Sequence, residues 1–320
     1  MNSEQLKLPS YGGQALIEGV LMRGRRYVAA AMRAPDGSIV IEKEELKGIY
    51  QSKIAKIPFL RGLIMLWDAL GLGMRYLTQS ANVQTGEDEK IEGASLYLTL
   101  GGSLLVAVLL FFVAPAAIGR GMQRLLVLPL GWENVIEGVV RLGLLVGYIW
   151  AIGKMPDIAR VFRYHGAEHK TINAYEVGLE LTPACVMRQS LEHPRCGTAF
   201  LLTVVVFSVL LFSALGSLPF VWLLLSRVIL IPVLAMVAYE YIRWTSNHLN
   251  SPLVKILVKP NLALQRLTTR EPDEKIVEIA IAAFNAMIAM EENRETGPVI
   301  PQAVEGAAAA VAGGYRNQPE

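Results

Sequence analysis

Cysteine is nearly absent from this chain of 320 residues: Cys185 and Cys196 are the full complement. Two cysteines cannot build a disulfide framework, and their scarcity fits a reducing compartment. Histidine is almost as rare, with four residues. An excess of one charge is missing too. The 30 lysines and arginines nearly cancel the 28 aspartates and glutamates, and no basic block offers a surface for nucleic acid. The opening stretch MNSEQLKLPSYGG has no apolar run of the kind a signal peptide needs, so insertion into a membrane is expected to rely on internal spans.

What is abundant is apolar sequence, 53% of the chain, and it is clustered rather than periodic. Runs of about 20 apolar residues cross a bilayer as helices. Four such runs stand at 96–118, 134–153, 199–215 and 220–241. The second carries Glu137 and Arg141, four positions apart and able to pair on one helix face; the fourth carries Arg227, which could bind an anionic headgroup, pair with Glu137, or only mark the true start of that helix. The expected fold is mainly α: a polytopic membrane protein of about four transmembrane helices, with a small N-terminal segment containing a β-hairpin and a C-terminal amphipathic helix. Lysine and arginine number 12 in residues 1–94, six in the 154–197 loop and eight from residue 242 onward, against two (Arg120, Arg124) and none in the remaining loops. The positive-inside rule then puts both termini and the 154–197 loop in the cytoplasm, with the chain in the cytoplasmic (inner) membrane.

Residues 1–94 read as a cytoplasmic N-terminal region. Strand-like runs at 27–33 and 38–44 flank Ala-Pro-Asp-Gly, a turn in which Gly37 tolerates positive φ. The preceding GGQALIEGVLMRG is glycine-rich and flexible, which disfavours a packed helix. Between 58 and 77, Arg61, Asp68 and Arg75 recur every seven residues opposite Leu63, Leu66, Trp67, Leu70 and Met74. That pattern predicts a helix lying in the membrane interface or buried against other helices. Residues 95–243 hold the four spans. Residues 244–297 form a C-terminal helical region, with a short apolar surface segment at 251–263 and a helix over 272–292 whose apolar face is Ile276, Ala280, Ala283, Phe284, Met287 and Ile288. The low-complexity stretch 298–320 is expected to be disordered.

Three of the four histidines fall in two short motifs of the 154–197 loop, H-x-x-E-H (His165 to His169) and H-x-x-C (His193 to Cys196). Pro156 suits a first helical position and Gly178 a helix stop. Between them His165 and His169, one turn apart, share a face, the spacing two imidazoles need to grip one ion. His193 and Cys196 supply two more ligands of the kind zinc prefers, returned by the 178–192 connection. Zinc is the expected metal, with other divalent transition metals left open. Glu176 lies too far along the helix for the same ion and could serve a second metal or bond an imidazole. If two histidines and one further ligand hold the metal, a water position stays open and Glu168 is the candidate general base. If His165, His169, His193 and Cys196 all bind, the shell is closed and structural. A metal-free network of hydrogen-bonded histidines is the plainer alternative.

The segments GGQALIEGVLMRG, PFLRG, FRYHGAEHKTINAYE, HPRCGTAF and LQRLTTREPDEKIVEIAIAA cover the chain from about residue 12 to residue 283. In them the chain resembles the YqhQ-like bacterial membrane family known as domain of unknown function 1385. The resemblance implies a multi-span membrane protein and implies no activity. Two readings of function therefore stand side by side. One is an integral membrane protein whose cytosol-facing metal site makes it a zinc-dependent hydrolase, acting at the bilayer surface on a peptide or lipid-linked substrate. The other is a non-enzymatic membrane scaffold or assembly factor, clamped by a structural metal or polar network. Membrane lipids are expected partners in both. A metal-ion transporter is weaker, because the spans hold no row of carboxylates or histidines to pass a cation.

Overall fold

The structure, a computed structural model, describes residues 11–85, 93–129, 131–216 and 218–292. The expected hairpin is the second half of a larger sheet. The glycine-rich segment ahead of it forms a hairpin of its own, so that β1 (Gly12–Leu16), β2 (Gly19–Arg23), β3 (Tyr27–Arg33) and β4 (Ile39–Glu45) make a four-stranded antiparallel meander in chain order. The glycines that argue against a packed helix serve a packed sheet instead. A Cβ on Gly19 would lie 2.7 Å from the Ala31 carbonyl oxygen, closer than a side chain tolerates.

Both faces of this sheet are buried. Val20, Met22, Ala29 and Ala31 look one way, into the main core; Leu16, Leu21, Val28, Ala30 and Met32 look the other. A two-sided strand reads as a continuous apolar run rather than an alternation, which is why its strands are hard to recognise. The first face is covered by α6 (Pro156–Glu176) and α12 (Glu274–Glu291), and α7 (Pro183–Met187) packs on both of these helices. Because α12 is enclosed by the sheet, α6 and α7, it is buried almost all round from Ile276 to Ala289, well beyond the single apolar face its spacing predicts.

The other face of the sheet receives Leu72 and Tyr76. They belong to a bent helical stretch: α1 (Leu60–Asp68), a π turn (Ala69–Gly73) and α2 (Met74–Thr85). The charged stripe of this stretch is paired residue by residue, with Arg61 and Asp68 turned toward the protein and Arg75 at the surface. Arg61 binds Glu240, Asp68 meets Arg23 at 2.6 Å, and Arg75 binds Glu44. Trp67 and Leu70, on the opposite side, remain 65% and 49% exposed.

Among the described residues, three helical stretches are long and apolar enough to cross a membrane. Residues Tyr97–Leu125 contain α3 (Gly93–Val108) in large part, a π turn (Leu109–Val113) and α4 (Ala114–Leu125); α5 is Trp132–Ile152 and α8 is Gly197–Ala214. The expected fourth span is broken. Its halves α9 (Phe220–Ile229) and α10 (Ile231–Asn247) meet at 46°, next to Pro232, which has no N–H to carry the helix ladder across the joint. Glu137 is the hub of the buried charges. Arg227 donates to it at 2.6 Å and to Asn134 at 2.8 Å, while Arg141 donates to Glu137, to Ser208 and, at 2.7 Å, to the Phe111 carbonyl in the π turn. Both guanidiniums also face the Phe212 ring.

The surface segment after the fourth run is the start of a helix, α11 (Pro252–Thr268), whose Val258 and Leu264 are buried and whose Asn261 donates to Thr203 of α8. The expected disordered tail, 298–320, lies outside the described residues.

Candidate metal centre

Helix α6 carries the centre. It opens on Pro156, after an extended Met155, and Gly178 follows its end with φ +73°, a conformation glycine adopts without strain. The three- and four-residue spacing inside it turns His165 and His169 to the same side, with ring centroids 4.5 Å apart. His169 is fully buried, and the His165 side chain is 17% exposed. Cys196 reaches them from the N-cap of α8, where its sulfur accepts the Thr198 N–H at 3.4 Å. The sulfur lies 3.2 Å from His165 Nε2, and one ligand atom from each of His165, His169 and Cys196 lies within 4.8 Å of the other two. Zinc bonds of about 2.0–2.3 Å place tetrahedral nitrogen and sulfur ligands roughly 3.3–3.6 Å apart, so the set would draw in by up to about 1.5 Å to hold the ion.

The imidazoles are oriented for ligation. His165 Nδ1 faces the Thr268 carbonyl at 2.8 Å, and His169 Nδ1 faces the Leu191 carbonyl. A carbonyl only accepts, so each Nδ1 carries the proton and each Nε2 keeps its lone pair, the arrangement common among metal-binding histidines. The Nε2 of His169 is buried and has no hydrogen-bond partner among the described residues. A buried polar atom without a partner is costly, and a metal ion is a partner that would satisfy it. The residues therefore fit zinc: two imidazole nitrogens and a sulfur converge, and one nitrogen is otherwise orphaned.

Glu168 adjoins this trio. Its Oε2 lies 3.6 Å from His169 Nε2 and 3.9 Å from His165 Nε2, and no lysine or arginine pairs with it among the described residues. Burial pushes the Glu168 carboxyl above the usual carboxylate range, against the pull of His165, His193 and the Gly13 amide that donates to it. Burial likewise pushes His169 below the usual imidazole range, against the pull of the Cys196 sulfur.

His193 is nearby but stands outside the trio. Its ring centroid lies 5.6 Å from that of His169, and its Nε2 is turned to Glu176 at 3.6 Å and to Arg195 at 3.4 Å. Glu176 in turn binds Arg195. The main chain of His193 is held on both sides by Gln265 of α11, which accepts the His193 N–H at 3.0 Å and donates to its carbonyl at 2.8 Å. Lys170, beside the motif, is spent internally: it donates to the Met187 and Gln189 carbonyls and pairs with Glu271.

Sequence reasoning missed the groups that orient the centre, because most are main-chain atoms. The Thr268 and Leu191 carbonyls carry no residue signature. Gly166 does. A glycine between two face-sharing positions of a helix is costly without a packing reason, and here a Cβ would fall 2.2 Å from the Arg270 carbonyl oxygen. That glycine lets the 268–270 chain approach α6 and deliver the Thr268 carbonyl to His165.

Residues 57–290 match the family described as "Protein of unknown function (DUF1385)". The chain belongs to the DUF1385 family. It is also similar to the uncharacterized protein YqhQ of Bacillus subtilis (strain 168), 36% identical over 299 residues that cover 88% of this chain and 93% of that protein. No solved structure matches it. The DUF1385 match contains His165, Glu168, His169, His193 and Cys196, whereas the sheet that covers Glu168 lies before it.

Proposed function

We propose that this protein is an integral membrane protein with a zinc site formed by His165, His169 and Cys196 on its cytosolic side, and that the site belongs to a metal-dependent hydrolase acting at the membrane surface. The lysine and arginine distribution supports the orientation. The observation that carries the chemistry is the company of Glu168: a buried carboxylate that no lysine or arginine pairs with among the described residues, against both imidazoles of a set of three ligands. Three protein ligands leave one coordination position open, the pattern of catalytic rather than structural zinc. When bound, zinc would supply an acidified water at that position, with a pKa near 7. His165, His169 and Cys196 hold the ion, and the Thr268 and Leu191 carbonyls fix the imidazole tautomers. Glu168 takes up the proton, with the Gly13 amide steadying its carboxylate. The substrate is a peptide or a lipid-linked molecule, and a second divalent transition metal could replace zinc at a nitrogen and sulfur site of this kind.

Burial favours a second reading. His169 and Cys196 are almost fully enclosed, and the ligands and orienting carbonyls come from α6, the 191–196 segment that leads into α8, and α11. One ion there would staple these three segments of a non-enzymatic scaffold. Glu168→Gln separates the two. It removes the proton-accepting charge with little change of shape, so a hydrolase keeps its metal and loses function. A structural site is expected to lose metal affinity about 10–100-fold as its imidazole environment weakens. Elemental analysis of the purified variant, beside complementation of a deletion strain, reads both; intact metal with full complementation would end the hydrolase reading.

A further inference from the structure

Helix α11 has three unlike faces. Val254, Val258, Asn261, Leu264 and Gln265 are buried, with Leu264 packed on the apolar cluster of α5 and α8. Leu253 and Ile256 are each 62% exposed and, with Leu257, form an outward apolar strip. Between the two, Lys255, Lys259 and Arg266 line a groove of about 610 Å³ whose walls are Leu249, Val258, Leu262 and Ala263. No ion pair involves either lysine among the described residues, whereas Arg266 pairs with Glu192 at 2.9 Å on the opposite lip. An exposed apolar strip beside unpaired cations, on a helix packed against spanning helices, is the pattern of a segment lying on an anionic bilayer surface.

We propose that this groove holds the headgroup of an anionic phospholipid from the leaflet on which α11 lies. Lys255 and Lys259 take the phosphate and Arg266 offers a bidentate fork, while the apolar walls cover the glycerol and upper acyl chain. The charge commits the occupant: three cations against one carboxylate select a negative headgroup over a zwitterionic one. The proposal rests on membrane insertion and is independent of the metal centre, although the groove shares its wall with the metal-site loop. Glu192, on the lip, stands between Leu191, whose carbonyl orients His169, and His193, which Gln265 of α11 clamps.

The test is native mass spectrometry of the full-length protein released from mixed phosphatidylglycerol and phosphatidylcholine micelles. Wild type should retain one phosphatidylglycerol in preference to phosphatidylcholine. Each lysine near a bilayer surface contributes about 1 kcal/mol, so Lys255→Gln and Lys259→Gln should each lower that preference about fivefold. Lys255→Arg/Lys259→Arg should restore it. Lys43→Gln/Lys47→Gln, which removes equal charge from β4 and its flank, should leave it unchanged. Equal retention of the two lipids by wild type, or an unchanged preference in Lys255→Gln/Lys259→Gln, would overturn the proposal. So would displacement of phosphatidylglycerol by equimolar inorganic phosphate, which would assign the groove to a soluble anion. Because no arm reads metal or activity, its failure leaves the zinc reading untouched.

Discussion

Glu168 of α6 and Gly13 of β1 are in direct contact. The Gly13 amide donates to the Glu168 carboxylate, and a Cβ on Gly13 would fall 2.7 Å from Glu168 Cγ and 2.6 Å from the Leu21 carbonyl oxygen. The sheet thus closes one side of the candidate centre, and it does so with main chain that only glycine leaves bare. Gly13→Ala should destabilise the protein by about 1–3 kcal/mol through overpacking. Gly12→Ala, where a Cβ meets nothing within 4 Å, should be near neutral. Thermal unfolding in detergent compares the two, and equal melting temperatures would show that the contact is slack.

The metal centre predicts an unequal response from its four sequence candidates. His165→Ala, His169→Ala and Cys196→Ala should each strip bound zinc, since losing one of three ligands removes much of the binding free energy. His193→Ala should keep it, because His193 is committed to Glu176 and Arg195. Stoichiometric metal in the His193 variant and its loss from the other three is the expected result of elemental analysis. A metal-free wild type would leave the histidines as a hydrogen-bonded network.

Between the spans, Glu137 is shared by two buried arginines. Glu137→Leu strands both guanidiniums and should cost about 3–5 kcal/mol, the range for breaking a buried pair from one side. Arg227→Leu leaves Glu137 with Arg141 and should cost less. Resistance to unfolding in mixed micelles ranks the two variants, and a reversed order would remove Glu137 from the centre of the network.

Glu18 joins the sheet to α6 through Arg160 and Tyr164. Burial raises its pKa, but the bonds from Arg160 and Tyr164 and the charge of Arg33 outweigh it and hold the carboxyl below the usual range. A depressed folded-state pKa means stability that is present above the unfolded value and lost as pH falls through the folded one. Glu18→Gln should therefore cost on the order of 1 kcal/mol at neutral pH, a modest figure because the pair is partly solvated. The gap to wild type should close as the pH is lowered past the ordinary carboxylate range. Melting curves across that range test the sign.

Reporter fusions address the orientation. Fusions at Gln123 should read outside and those at Ala184 and Asn285 inside, following the positive-inside assignment. An outside reading at Ala184 would move the metal centre away from the cytosol.

Local chemistry by itself determined a good deal here. Pro156 and Gly178 bound α6, a 3.6-residue period sets His165 and His169 on one side of it, and runs of apolar residues locate the long apolar helices, because each of these is written in a few neighbouring residues. Gly37, with φ +86°, makes the expected turn between β3 and β4 for the same reason. Tertiary structure decided what depends on partners distant in the chain. The β1–β2 hairpin escaped recognition because a sheet buried on both faces shows no alternation. Arg61 and Asp68 of the charged stripe could have faced solvent, and they are turned inward by Glu240 and Arg23, which arrive from elsewhere, while Arg75 stays at the surface with Glu44. Cys196 joins the two histidines of α6 while His193 turns aside, since Gln265 of α11 clamps the His193 main chain and Glu176 engages its ring. Spacing along a helix sets which side chains share a face; which face is closed, and by what, is settled only when the long-range packing removes it from water.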